Sequence, residues 1–274
     1  MKVDLHIHSQ CSDGKYTPAE IVSYAVQNHL HIIALTDHDT VDGLPEAREA
    51  AARYPALRLI SGLELSTYHE ADELHILGYG INPTHAALTE LLNETRLKRR
   101  ARLRRVLERL KELGIALTYE EVDGTFRTSS LGRMHVARIM IERGYVRSIR
   151  EAFDRYLSYE TNQIIYSESD FISSRQAIET ILAAGGIPVL AHPTIAQFDR
   201  YLGALISFGL RGIEVFKGSR TAIEEFYLET VVKDKGLLST GGSDWHGYNQ
   251  TQALGSFYVD SGQIQRFLAA LGLT

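Results

Sequence analysis

Five short stretches place imidazoles and carboxylates where a chain can offer them to cations or protons: Asp4-Leu5-His6-Ile7-His8, Asp37-His38-Asp39, Gly62-Leu63-Glu64, Ala191-His192-Pro193 and Ser243-Asp244-Trp245-His246. Residues two apart on a strand share a face, so His6 and His8 present two imidazoles side by side. Asp13 follows five residues later, in a tight turn before Gly14. A His-x-His pair alone fits a metal site and a pair of hydrogen-bonded structural histidines equally well. The elements that carry the other residues decide between them.

Residues 2–8 read as a strand. Thr17-Pro18-Ala19-Glu20 is a capping box with proline in the first turn and opens a helix reaching about residue 29. Residues 31–36 predict a buried strand, 44–53 a helix, 57–65 a strand and 75–79 a short strand. Past Pro83 the spacing predicts one long helix over 84–113, stopped by Gly114, then helices over 131–143 and from Ser148 to residue 157. Alternation resumes after Ser173-x-x-Gln176 with a helix to residue 184. Strands over 187–191, 211–216 and 237–240 follow, with helices over 202–208, 221–235 and 264–271. Such alternation predicts an α/β fold around a parallel sheet, interrupted by a helical insertion. His38, Glu64, His192, Asp244 and His246 then all follow the C-terminal ends of strands, where parallel β/α folds collect functional groups. His75 opens its strand or lies within it. So many ionisable groups on one rim are costly to bury without cations, and the pattern predicts a polynuclear metal site.

The 274 residues suffice for one large domain with an insertion, and 44% hydrophobic with 23% charged residues fits a globular chain. The start lacks the apolar stretch of a signal peptide and no apolar run approaches membrane-spanning length, so a cytoplasmic location without membrane association is expected. A single cysteine, Cys11, excludes an internal disulfide. The net charge of −5 conceals a separation: residues 96–111 hold nine of the 29 Lys/Arg and one of the 34 acids. That basic helix has two readings, steering of polyanionic substrates or a solvated face.

His6-x-His8, Thr36-Asp37-His38-Asp39, Gly62-Leu63-Glu64, Ala191-His192-Pro193 and Ser243-Asp244-x-His246 together resemble the signature motifs of the polymerase-and-histidinol-phosphatase (PHP) superfamily. Within it the chain is similar to small bacterial phosphoesterases that include nucleoside 3′,5′-bisphosphate phosphatases and a 5′–3′ exoribonuclease acting on short RNAs. The resemblance implies a distorted (β/α)7 TIM-like barrel, with barrel parts at 1–90 and 168–274 and a substrate-recognising helical insertion at 91–167. It implies three divalent metal ions: one on His6, His8, Glu64 and Asp244, a second on Asp13, His38 and His246, a third on His75 and His192 with Glu64 bridging. Asp13 stands where other members carry a third N-terminal histidine. Mixed imidazole and carboxylate ligation suits Mn, with Fe or Zn as alternatives. Catalysis would need no protein nucleophile, since the cations neutralise phosphate oxygens and lower the pKa of a water towards about 7.

Gly132-Arg133-Met134-His135 stands at a helix start, where backbone N–H groups favour anions. The resemblance assigns Arg133 and His135 to a substrate phosphate. Asp39, Asp42 and His31 offer themselves as outer or proton-transfer groups, or as turn residues, and Lys217 as a phosphate contact. Residues 157–169 depart from the subgroup: they lack glycine and include Glu168. The expected substrate is a nucleotide or short 5′-phosphorylated RNA, with no protein partner required. The alternatives are a phosphatase for small non-nucleotide phosphates such as histidinol phosphate, a non-catalytic metal-binding module, and a nucleic-acid-binding protein using the basic helix.

Overall fold

Thr17 Oγ1 accepts from Glu20 N, and Glu20 returns the bond to Thr17 N, so the first helix starts where its capping box predicts. A computed structural model describes residues 1–158, 168–249 and 251–273. The chain begins β1 (Lys2–Ile7), α1 (Pro18–Gln27), β2 (Ile32–Leu35), α2 (Leu44–Ala51), β3 (Arg58–His69), β4 (Asp72–Tyr79). Four helices follow, α3 (Ala86–Glu112), α4 (Tyr119–Phe126), α5 (Arg133–Glu142) and α6 (Ile149–Ala152), the last running into a π-turn at Phe153–Leu157. After a 3-10 turn at Glu168–Asp170 come β5 (Ile172–Ser173), α7 (Ser174–Ala183), β6 (Ile187–Leu190), α8 (Ile195–Ser207), β7 (Gly212–Phe216), α9 (Ala222–Asp234), β8 (Leu238–Gly241), β9 (Val259–Asp260) and α10 (Gln265–Ala270).

The strands form one sheet in the order β8-β7-β6-β4-β3-β2-β1-β9, with β5 paired to β3. The sheet curls until β1 meets the segment that follows β8, the strand at its far edge. Trp245 N donates to His6 O at 3.2 Å and His8 N to Trp245 O at 2.9 Å. Beneath this seam the buried Asp4 carboxylate accepts from Ser243 N and Oγ at 2.9 and 2.6 Å. Gly242 permits the approach, because a Cβ there would lie 2.4 Å from that of His6. The result is a nearly closed barrel, the distorted TIM-like form expected.

The sheet is not wholly parallel. β4 runs antiparallel to both β3 and β6. The reason is length: β3 continues past Glu64 to His69, and the turn to Asp72 leaves only two residues, too few for a parallel crossover. Ser66 and Thr67 look like the end of a strand in sequence. Both are buried, and Thr67 Oγ1 donates to Leu74 O at 2.7 Å within the hairpin. Two helices also differ from expectation. α4 starts from an N-cap at Thr118, and α8 begins at a Thr194/Gln197 capping box, upstream of the apolar stripe at 202–208. The departing stretch 157–169 falls mostly on 159–167, outside the described residues.

Two hydrophobic cores result. The larger fills the barrel and its surrounding helices. The smaller joins Leu103, Val106, Leu107 and Leu110 of α3 to Val136, Ala137 and Met140 of α5. α3 serves both, because Leu88 and Leu91 nearer its start belong to the barrel core. Arg99, between the two sets, is nearly buried. Its guanidinium pairs with Asp39, and its Nε donates to Leu131 O at 3.1 Å.

Candidate metal centre

β1 delivers His6 and His8 to the rim with both side chains fully buried and ring centroids 5.1 Å apart. The next residues fold back over them. Asp37 collects this loop, accepting from Ser9 N and Oγ at 2.7 Å each and from Ser12 Oγ at 2.6 Å. Gly14 lies so close that a Cβ would sit 2.2 Å from His8 O. The loop therefore turns sharply and aims Asp13 at the histidines. Of the Asp37-His38-Asp39 run, only His38 faces the centre. Asp39, at φ 51°, accepts from Ser66 N at 2.8 Å and pairs with Arg99.

Glu64 stands in the middle. Its Oε2 lies 3.1 Å from His38 Nδ1, 3.2 Å from His6 Nε2 and 3.3 Å from His8 Nε2. Its Oε1 lies 3.0 Å from both His75 Nδ1 and His192 Nε2. The reversal of β4 brings His75 here, because the start of an antiparallel strand shares a rim with its neighbours' ends. Asp244 Oδ1 is 3.5 Å from His6 Nε2 and 3.3 Å from His8 Nε2, and Asp13 Oδ1 is 3.2 Å from His246 Nε2. Two ligands on one ion at about 2.0–2.2 Å stand roughly 3.0–3.5 Å apart, which matches these separations. Among the described residues, three groups have their donor atoms within 4.8 Å of one another: His6, His8, Glu64, Asp244; His8, Asp13, His38, His246; and His38, Glu64, His75.

Ligand atoms that a folded protein would ordinarily satisfy are left without a hydrogen bond: His6 Nε2, both His8 ring nitrogens, His38 Nδ1, Asp13 Oδ1 and Glu64 Oε2 are buried and unpartnered. The donor set fits cations. Burial pushes Glu64 upward, but the imidazoles of His38, His6 and His75 hold it well below the usual carboxylate range. Asp13 and Asp244 are likewise held low against burial, by His246 and by His6 respectively. The three carboxylates are therefore ready as anionic donors. Backbone strain gathers here too, with His192 at φ 28° and Asp244 at φ 55°.

A pocket opens from Asp13, His38 and His75 towards Arg99, Arg102, Arg133 and Phe153 of the helical region. Arg133 faces it from the first turn of α5, donating to Leu157 O at 3.3 Å and standing 3.7 Å from Glu73 Oε2. Glu73 Oε1 lies 3.5 Å from His75 Nε2. His135, expected to share the substrate phosphate with Arg133, is engaged within the protein. It is buried, its Nδ1 accepts from Gly132 N at 3.0 Å and its Nε2–H donates to Ser12 O at 2.8 Å. Both nitrogens are spent tying the start of α5 to the residue before Asp13.

Other expectations change as well. His31 precedes β2 and accepts from Lys2 N at 3.2 Å, so it sits at the opposite end of the barrel. Asp42 accepts from Ser129 Oγ at 2.7 Å and fastens the helical region instead of serving the centre. Lys217 Nζ holds Asp244 Oδ2 at 2.8 Å. Much of the basic helix is used in folding. Lys98 donates to Ser169 O at 2.8 Å, Arg102 to Asp170 O at 2.7 Å, and Arg105 pairs with Asp170. Sequence reasoning missed Glu214 and Glu73, acids that lie within β7 and β4. Only an acid inside the apolar run Gly-Ile-Glu-Val-Phe hinted at the first.

A barrel that gathers imidazoles and carboxylates into adjoining groups at the C-terminal rim of its strands has the build of a metal-dependent hydrolase. The chain belongs to the PHP domain family, whose model matches residues 4–169. It is similar to a 5′-3′ exoribonuclease of Haemophilus influenzae, at 34% identity over 250 residues that cover 89% of this chain and 90% of that protein. It is equally similar to a 3′,5′-nucleoside bisphosphate phosphatase of Chromobacterium violaceum, 34% identical over 254 residues covering 89% and 87%. Among solved structures, a protein from Bifidobacterium adolescentis described as a metal-dependent phosphoesterase superposes with a TM-score of 0.88 at 30% identity, covering 98% of this chain and 96% of that one.

Proposed function

We propose that this protein is a metal-dependent phosphoric ester hydrolase acting on nucleotides, either 3′,5′-bisphosphates or monophosphates, or on short 5′-phosphorylated RNA. The observation that carries this reading is Glu64, a buried carboxylate within 3.3 Å of five imidazoles, several of whose nitrogens have no hydrogen bond. Three divalent ions, Mn or else Fe or Zn, would be held by His6, His8, Glu64 and Asp244, by Asp13, His38 and His246, and by His75, His192 and Glu64. When bound, such ions supply charge for the phosphate oxygens and the acidity that makes water a nucleophile near neutral pH.

The chain's own residues divide the remaining work. Lys217 steadies Asp244 through its outer oxygen. Glu73 accepts from His75 Nε2–H, leaving Nδ1 for a metal. Residues 91–167 act as the recognition part between barrel parts 1–90 and 168–274, with Arg133 receiving a substrate phosphate. His135 contributes indirectly, by fixing the loop that carries Asp13.

The test is a panel of 3′,5′-bisphosphates, 5′-monophosphates and short 5′-phosphorylated RNAs with Mn, following phosphate and nucleotide release. Release that stops with EDTA and returns with Mn supports the reading. No release from any member, or turnover unchanged in His192→Ala, would sink it.

A further inference from the structure

Glu214 stands in the middle of β7 with its side chain wholly shielded from solvent. Each oxygen has one partner. Oε1 lies 2.8 Å from His6 Nδ1, and Oε2 accepts the backbone N–H of His192 at 2.7 Å. Oε2 faces an obligate N–H donor and Oε1 faces an imidazole, the partners a carboxylate takes. A carboxylate oxygen only accepts, so the proton of a neutral His6 ring belongs on Nδ1. Nε2 then carries the lone pair, and this is the buried nitrogen left unpartnered beside Glu64 and Asp244. The other oxygen anchors His192 at its strained φ of 28° and so aims Nε2 at Glu64 Oε1. A lone backbone N–H can be satisfied by a neutral acceptor, whereas a buried charge is expensive. The charge has a use where it orients an imidazole and raises its basicity towards a cation.

Resting on the reading of the rim as a metal centre, we propose that Glu214 is a positioning residue that serves two metal groups at once, fixing the tautomer of His6 in one and the backbone of His192 in the other. Its loss weakens both groups together. Asp13 belongs to neither of them, so its loss empties a different one.

The experiment compares wild type, Glu214→Ala, Glu214→Gln and Asp13→Asn. It measures Mn per chain, Mn affinity by chelator competition, the rise in Tm on adding Mn, and the His6 Nδ1–H signal by NMR of the metal-free protein. Glu214→Ala is expected to lose about 10–100-fold in Mn affinity, to lose more than one Mn per chain, and to lose the Nδ1–H signal. Glu214→Gln keeps one acceptor oxygen and is expected to fall between, with the signal retained; it also serves if the alanine variant does not fold. Asp13→Asn is expected to lose one Mn only. A folded Glu214 variant with wild-type Mn content and an undiminished Tm rise, even from a lower metal-free Tm, makes the residue merely structural and overturns the inference. A wild-type chain that takes up no Mn overturns the metal-centre reading and this inference with it.

Discussion

The barrel wall and the helical wall of the pocket meet their polar groups in opposite ways. On the barrel side, buried atoms of His6, His8, Asp13, His38 and Glu64 lack partners. On the helical side, Arg99 is paired with Asp39, Arg102 donates to Asp170 O, and Arg133 donates to Leu157 O beside Glu73. Cations would complete the first wall, since buried unpaired donors and acceptors cost free energy. The three arginines of the second already have partners within the protein, so an incoming phosphate must exchange for contacts already made. Metal loading should therefore act as filling, and substrate binding as displacement.

The sharpest way to break this contrast is to remove what the barrel wall lacks. Metal stripped with EDTA, or Asp244→Ala, is expected to cut phosphate release at least about 10⁴-fold, some 5 kcal/mol in barrier, with fold retained by circular dichroism. On the helical wall the largest effect falls on stability. Arg99→Ala leaves Asp39 buried without its partner and is expected to cost about 3–5 kcal/mol in urea unfolding. An unchanged midpoint would mean that the helical wall is not pinned at that point.

His135 tests the junction between the walls. Burial pushes its pKa down to about 4, against about 6.5 in an unfolded chain. The neutral ring thus contributes stability that is full above pH 6.5 and is lost as pH falls towards 4, about 3 kcal/mol in all. In metal-free protein, wild type is expected to lose more stability between pH 7.5 and 4.5 than His135→Gln, measured by urea titration at each pH. Parallel losses would remove His135 from the junction. The smallest expected change is in substrate affinity: Arg133→Ala should raise KM about 10–100-fold with a smaller change in kcat, and Arg133→Lys should recover part of it. A loss confined to kcat would place Arg133 among the groups that act on the reacting bonds.

The gathering of imidazoles and carboxylates was legible because strands impose a period of two and deliver their ends to one rim. His6, His8, His38, Glu64, His192, Asp244 and His246 could be placed on that rim from order and spacing alone. His75 was ambiguous because the turn before β4 carries no glycine or asparagine to mark it. The partners of His135 were hidden for a different reason. A polar residue in the first turn of a helix is usually exposed, and only the tertiary approach of Ser12 turns it inward. Glu214 left almost no trace, since its partners are distant in sequence and its own neighbours are apolar. The basic helix showed its charge but not its pairing, which depends on where Asp39 and Asp170 come to lie.

The hairpin that reverses β4 also sets a rule about chain length. His75 faces Ser66, two residues from Glu64 along the same face of β3, and the two-residue turn 70–71 matches that register. One residue added there would rotate His75 to the far side of the sheet, and two would restore its side but carry it about 7 Å along the strand. Related chains that keep a histidine beside the acid at position 64 are therefore expected to hold this turn at constant length, while the connections between helices α3 to α6 vary freely.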